Sequence, residues 1–202
     1  MTEPDLVPVF IVDDDNSVRD ALSYVLEGYG LPVESFASGE AFLAGTDATL
    51  PACIILDSRM PGLSGQDVHQ QLLSEASCMQ VIFLTGHGDM PMAIEAFRKG
   101  ACDFHQKPVK VDELLPCIKK AQQQSLHCYR RQQCQRQYDS LTTRERELFS
   151  LVVQGFINKQ ISEQLCISVR TVEVHRAKMM EKLALNSITD LVKFSEILTS
   201  TH

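Results

Sequence analysis

Along the first 108 residues, short apolar runs alternate with stretches of helical period. The runs Val9–Val12, Val33–Phe36, Cys53–Leu56, Gln80–Leu84 and Ala101–His105 read as strands. Four of the five are nearly continuous in apolar side chains, as expected of strands covered on both faces. Amphipathic stretches lie between them: Val18, Ala21, Leu22, Val25 and Leu26; Ala41 to Ala44; Val68, Leu72 and Leu73; Met92 to Phe97. A further helix begins near Val111 and continues past Leu115 and Ile118. Five β–α repeats predict a parallel, doubly wound sheet with helices on both faces.

From Asp139 onward the strand pattern vanishes. Four short helices are predicted over 142–154, 158–165, 169–184 and 187–199, broken by Gly155, Ser168 and Asn186. Thr142 or Thr143 caps the first, Asn158 the second and Ser168 the third. Leu148, Leu151, Val152, Ile161, Leu165, Val172, Met179, Met180 and Leu183 recur at core spacing. Residues 122–138 are polar and free of Pro and Gly, which predicts a helical linker continuous with the preceding helix. The expected organisation is therefore an α/β domain over 1–121, a linker over 122–138 and an all-α domain over 139–202.

Composition narrows the class. With 44% hydrophobic and 22% charged residues the chain reads as an ordinary globular protein. No run approaches the roughly 20 apolar residues of a membrane helix. The start, Met1 to Pro8, has two acids and no basic segment, unlike a secretory signal. A cytoplasmic protein without membrane contact is expected. Residues 1–124 carry 18 acids and 8 bases, whereas 125–202 carry 8 acids and 11 bases. An acidic half joined to a basic half suggests different partners, nucleic acid being the candidate for the basic one. Seven cysteines at irregular spacings, without a C-x-x-C pair, argue against a disulfide scaffold and a structural zinc site. Reduced, mostly buried thiols are expected.

The chemistry gathers at the strand ends, where open α/β sheets bind ligands. The first strand ends in Asp13-Asp14-Asp15, the third in Asp57 and the fourth in Thr85; Lys107-Pro108 follows the fifth. Converging carboxylates repel one another unless a cation sits among them, and a hard ion with oxygen ligands, Mg²⁺, fits. Lys107 and Thr85 offer a positive charge and a hydroxyl suited to phosphoryl oxygens. The inferred chemistry is Mg²⁺-assisted phosphoryl transfer with Asp57 as acceptor. Taken singly, each element has a plainer reading: Asp13 to Asp15 as a helix-capping turn, Thr85-Gly86 as turn chemistry, Phe104 as core.

The strings IVDDDNSVRDAL, LDSRMPGLSG, FLTGHGDMPMAIEA and GACDFHQKPV resemble the receiver domain of response regulators, especially the FixJ branch, over about residues 1–120. The resemblance implies a flavodoxin-like (βα)5 fold with a parallel five-stranded sheet. It implies that Asp57 takes a phosphoryl group from a sensor histidine kinase. Asp14 would bind Mg²⁺ directly, Asp13 mainly through water, and the Arg59 carbonyl would complete the protein ligands. Thr85 would move toward the phosphoryl group, Phe104 would follow as a rotating aromatic, Lys107 would pair with the phosphate, and the Lys107–Pro108 bond would be cis. Arg59 and His87 fall at positions that tune phosphate lifetime in the family; for His87 a neutral exposed side chain is the default. Within this branch, GQDVHQQL, FLTGHGDMPMAIEAF and HQKPV are most similar to tetrathionate-respiration response regulators.

In the basic half, the helix 169–184 turns Arg170, Thr171, Glu173, Val174, Ala177 and Lys178 away from its core positions. A helix with short and mixed polar side chains on its outer face can enter a major groove. Lys159, Arg176 and Lys178 suit phosphate contacts. By pattern alone, a helical bundle that docks protein partners is equally consistent. The motifs LTxRExEL, G-x-x-NKxI and ISxRTVEVHRAKxMEKL resemble the LuxR/NarL-type helix-turn-helix over about 140–198, a tetrahelical domain. The resemblance makes 169–184 the recognition helix and gives the last helix a role in dimerisation on promoter DNA, with RNA polymerase as a further partner. Relatives often carry Lys where this chain has Glu173 and Ala177, so their base preference does not transfer. Glu173 offers an acceptor to a cytosine amino group.

Together these features predict a transcription factor that dimerises on phosphorylation, through the face formed by the 92–97 helix, the fifth strand and the helix after it. Two rivals stand beside it: a regulator or docking module that works without phosphate, and an aspartyl-phosphate phosphatase. The second lacks the required acid, since Ser58-Arg59 follows Asp57, and no enzyme is expected.

Overall fold

In the computed structural model, which describes residues 6–86 and 100–200, five parallel strands form one sheet. These are β1 (Val9–Val12), β2 (Val33–Phe36), β3 (Cys53–Asp57), β4 (Gln80–Thr85) and β5 (Asp103–Gln106), in the order β2-β1-β3-β4-β5. Val9 lies opposite Val33 on one side and Cys53 on the other, and Thr85 lies opposite Gln106. The expected helix over 92–97, and His87, lie outside the described residues.

Strand alternation divides the core in two. Phe10, Val12, Ile54, Leu56, Val81 and Phe83 face α2 (Gly39–Gly45) and α3 (Gly65–Ser74), meeting Phe42, Val68 and Leu72. Val9, Ile11, Ile55, Ile82 and Leu84 face α1 (Asn16–Gly28) and α4 (Val111–Asp139), meeting Leu22, Leu26, Leu114 and Ile118. All of β3 is buried, whereas the edge strands β2 and β5 keep polar residues exposed or half-exposed. β5 starts at Asp103, two residues later than its apolar run predicts, although the Cys102 amide already donates to the Val81 carbonyl.

The chain divides into two compact units at Tyr129/Arg130, a point inside α4. The segment expected to be a linker is helical throughout, and much of it is packed. Within the first unit, Ser125 is fully buried and its hydroxyl accepts from the Ala52 amide at 2.9 Å; Gln122 donates to the Val7 carbonyl at 2.6 Å. Within the second, Cys134 and Tyr138 pack against the helical core.

That core gathers side chains of α5 (Thr143–Val153), α6 (Asn158–Leu165), α7 (Val169–Lys182) and α8 (Ile188–Thr199). Leu148, Val152, Ile161, Val172, Met179 and Leu183 are buried, and Leu191 and Phe194 of α8 join them. Thr142 caps α5 in a reciprocal box with Glu145, Gly155 follows with φ +88°, and Ser168 caps α7. The expected cap of α6 is displaced by one residue. Ile157 occupies that place with extended backbone, its amide donating to the Gln160 side chain, while the Asn158 oxygen accepts from Arg176.

The cysteine expectation also needs correction. Cys78 and Cys128 form a disulfide across a sequence separation of 50, with Cα atoms 5.4 Å apart. Folding brings the approach to β4 beside α4, a proximity that spacing along the chain does not reveal. Cys53 and Cys102 are free and buried, Cys117 and Cys134 are free and half-buried, and Cys166 is free and exposed. Among the described residues no helix is long and apolar enough to cross a membrane.

Candidate phosphoryl-acceptor pocket and helix-turn-helix

The strand order reverses around β1, with β2 on one side and β3 on the other, so a crevice opens beyond the carboxyl ends of β1 and β3. Asp13 follows β1 directly and Asp57 ends β3. Carboxylate oxygens of Asp13, Asp14 and Asp57 all lie within 4.8 Å of one another. Asp13 is fully buried, Asp57 is 7% exposed and Asp14 is exposed. Asp15 does separate work, capping α1 by accepting from the Ser17 amide at 2.8 Å. Asp13 is held from two directions: its Oδ1 accepts from the Asp15 amide, and its carbonyl accepts from Arg19 Nη1 at 2.6 Å.

One lysine spans the two buried carboxylates. Lys107 Nζ donates to Asp13 Oδ2 at 2.6 Å and to Asp57 Oδ2 at 2.8 Å. Burial pushes the Asp13 carboxyl up from its ordinary value, against the lowering pull of Lys107. Burial also disfavours the Lys107 ammonium, but its bonds to Asp13 and Asp57 more than offset this and hold it above the usual lysine value. The donor set, three converging carboxylates of which Asp14 is exposed, suits a hard divalent ion of the Mg²⁺ kind. The Lys107–Pro108 peptide is cis.

Of the other residues expected at the site, Arg59 follows β3, Thr85 ends β4 and Phe104 lies in β5. The Arg59 amide donates to Asp57 Oδ1 at 3.2 Å. Thr85, 6% exposed, ends β4, and its hydroxyl donates to the His105 carbonyl at 3.4 Å. Phe104 is half-buried against the core cluster on the α2–α3 side of the sheet. Gly65, the first residue of α3, was not singled out as a site residue. A β-carbon there would collide with the Asp57 carbonyl oxygen, so its lack of a side chain lets α3 start against the end of β3. The Ser-Gly pair ahead of an amphipathic stretch was the available signal.

In the second unit, Arg170, Glu173, Val174, Ala177 and Lys178 are exposed along one stripe of α7, opposite buried Val172 and Met179. Val174 is 48% exposed. Thr171 is half-buried, its hydroxyl 2.8 Å from that of Ser168. Lys159, at the start of α6, is exposed. Arg176 is half-buried and donates to Asn158 Oδ1 at 2.9 Å, which fixes α7 against the start of α6. Arg144 donates to the Leu165 carbonyl, tying α5 to the end of α6. Glu145 is the buried charge that the motif reading did not single out. It is 3% exposed, and its Oε2 accepts from Lys182 at 2.6 Å and from the Thr142 amide at 2.8 Å. The Lys182 bond comes first among the causes that lower its carboxyl, to about 2.

Residues 9–119 match the response regulator receiver domain family, and residues 139–195 match the bacterial regulatory proteins of the luxR family. The tetrathionate response regulatory protein TtrR of Salmonella typhimurium is 42% identical over 195 residues, covering 96% of this chain and 95% of its own. The response regulator protein TodT of Pseudomonas putida is also 42% identical, over 93% of this chain and 85% of its own. Among solved structures, the response regulator StyR is similar with a TM-score of 0.70 at 38% identity, covering 95% of this chain and 98% of its own. Full-length FixJ from B. japonicum gives 0.57 at 33% identity over the whole of both chains. The chain therefore belongs to the NarL/FixJ-type response regulators, two-component transcriptional regulators in which a receiver domain precedes a LuxR-type DNA-binding domain.

Proposed function

We propose that Asp57 accepts a phosphoryl group from a sensor histidine kinase and that the modified protein dimerises and binds promoter DNA to regulate transcription. The observation that carries the reading is Lys107 bridging Asp13 and Asp57 beside exposed Asp14, where three carboxylates converge. Asp14 directly, Asp13 mainly through water, Asp57 and the Arg59 carbonyl would hold Mg²⁺, which would neutralise charge on the transferring group. The Asp57 carboxylate attacks phosphorus, a P–O bond forms as the P–N bond to the kinase histidine breaks, and that nitrogen regains a proton. The dianion so formed draws the Lys107 ammonium and the Thr85 hydroxyl. Thr85 then leaves the His105 carbonyl, and Phe104, one residue before His105, repacks.

The output rests on the exposed stripe of α7. Arg170, Thr171, Glu173, Val174 and Ala177 are assigned to the groove, and Lys159, Arg176 and Lys178 to phosphates. The receiver is assigned to 1–121, the linker to 122–138 and the DNA-binding domain to 139–202. The protein acts in the cytoplasm as a phosphoryl acceptor and not as a turnover enzyme, with RNA polymerase as a further partner at the promoter. TtrR and TodT are equally identical to this chain, so relatedness does not single out tetrathionate as the signal.

Incubation with acetyl phosphate and Mg²⁺ is expected to add one phosphoryl group by intact mass, with none in Asp57→Asn. Phosphorylated protein is expected to protect its own upstream region from nuclease at lower concentration than unmodified protein. Equal protection by both forms would establish the phosphate-independent rival.

A further inference from the structure

Asp103 and His105 alternate along β5, so their side chains share one face of that edge strand. On that face Cys117 of α4 donates its thiol hydrogen to Asp103 Oδ2 at 3.0 Å. The other carboxylate oxygen of Asp103 accepts from the Phe104 amide at 2.8 Å, which orients the group. A carboxylate oxygen, an imidazole nitrogen and the Cys117 sulfur all lie within 4.8 Å of one another. The thiol–carboxylate bond accounts for two of the three side chains. It leaves His105 unexplained, because His105 Nε2 is buried without a hydrogen-bond partner. Buried polar atoms are nearly always partnered, and an orphan beside two good metal ligands calls for a ligand.

We propose that Asp103, His105 and Cys117 bind a divalent transition-metal ion of the Zn²⁺ class, with a fourth position left for water or for a donor from another molecule. The donor set selects the ion. Mg²⁺ and Ca²⁺ take oxygen, whereas an imidazole and a thiolate with one carboxylate suit Zn²⁺ or Co²⁺. Binding is a proton exchange without redox change: the metal–sulfur bond forms as the Cys117 proton leaves for solvent. Burial and the neighbouring Asp103 carboxylate push that thiol up to about 11, so without an ion the site keeps a proton where the metal would sit. The Cys102 thiol is engaged with the Gln124 side chain at 3.1 Å. The ligands come from β5 and α4, and the His105 carbonyl takes the Thr85 hydroxyl, so an ion here ties α4 to the strand next to the acidic pocket. The proposal does not depend on phosphorylation of Asp57.

The test is a Co²⁺ titration of the full-length protein in excess Mg²⁺, which keeps the carboxylate pocket occupied. One Co²⁺ per chain is expected, with a near-ultraviolet sulfur-to-cobalt charge-transfer band that stoichiometric Zn²⁺ abolishes. Cys117→Ser should lose the band while keeping its far-ultraviolet dichroism, since serine can donate to Asp103 in the same way. His105→Gln should weaken Co²⁺ binding by at least about tenfold, the scale on which even outer-shell partners act. Asp57→Asn should bind as the parent does. Absence of the band, an unchanged band in Cys117→Ser, or unchanged affinity in His105→Gln would each overturn the proposal. So would loss of binding in Asp57→Asn, which would place the ion in the acidic pocket. Should Cys117→Ser fail to fold, the His105→Gln affinity decides.

Discussion

The Thr85 hydroxyl donates to the His105 carbonyl across 3.4 Å, so its hydrogen bond runs to β5 and not to the Asp57 carboxylate. At that length it contributes little, about 0.5 kcal/mol. Thr85→Ala is therefore expected to lower the unfolding free energy of the first unit, measured by urea titration, only slightly, by less than about 1 kcal/mol. Its effect on signalling should be large: Asp57 still takes up phosphate, but promoter affinity no longer rises with it. Unaltered phosphate-dependent footprinting in this variant would remove Thr85 from the switch.

Gly65 and Asp57 provide a packing prediction. A β-carbon at residue 65 meets the Asp57 carbonyl oxygen and the Ser58 backbone, neither of which can swing aside as a side-chain tip could. Overpacking of this kind costs about 1–3 kcal/mol. Gly65→Ala should lose that much stability and, by moving the strand end, most phosphoryl uptake at a fixed acetyl phosphate concentration. Parent-like uptake would show that α3 can retreat without disturbing the acceptor.

Glu145 predicts a pH dependence with a definite sign. Its carboxyl is lowered in the folded unit from 4.5 to about 2, so the stabilisation is present above pH 4.5 and is lost as pH falls toward 2. Lys182 is 38% exposed, and water screens the pair, which limits the effect to about 1 kcal/mol. Glu145→Gln should be less stable than the parent by that amount at pH 7. The gap should narrow as pH falls below about 4 and close near 2. A gap independent of pH would assign the loss to the capping box with Thr142.

The Cys78–Cys128 bridge predicts a thiol count and a stability difference. Alkylation of the unfolded, unreduced protein should modify five of its seven cysteines. Closing a loop with a sequence separation of 50 restricts the unfolded chain by about 4 kcal/mol in the chain-entropy view. Dithiothreitol should thus destabilise the first unit by about 2–4 kcal/mol, and should leave the Cys78→Ser, Cys128→Ser double variant unchanged. Seven alkylated cysteines would show that the bridge is absent in solution.

The acidic pocket was legible in the sequence because parallel strands deliver their carboxyl ends to one edge. Once Val9–Val12 and Cys53–Leu56 read as buried strands, Asp13 and Asp57 had to meet at that rim, and Lys107 followed at the end of the fifth. The helix-turn-helix was legible because Val172, Met179 and Leu183 recur on one side of a helix while Arg170, Val174 and Lys178 recur on the other. The cap of α6 was misplaced by one residue, since Asn158 is a common capping type and its bond to Arg176 comes from another helix.

Local periodicity and strand-end chemistry thus determined which elements form, which faces they bury and where the carboxylates gather, because those properties depend on neighbours within a few residues. Tertiary structure alone decided that Cys78 reaches Cys128, that Cys117 stands beside Asp103 and His105, and that Lys182 meets Glu145. Each of these pairings joins separate elements, and no spacing along the chain encodes the distance that packing leaves between them.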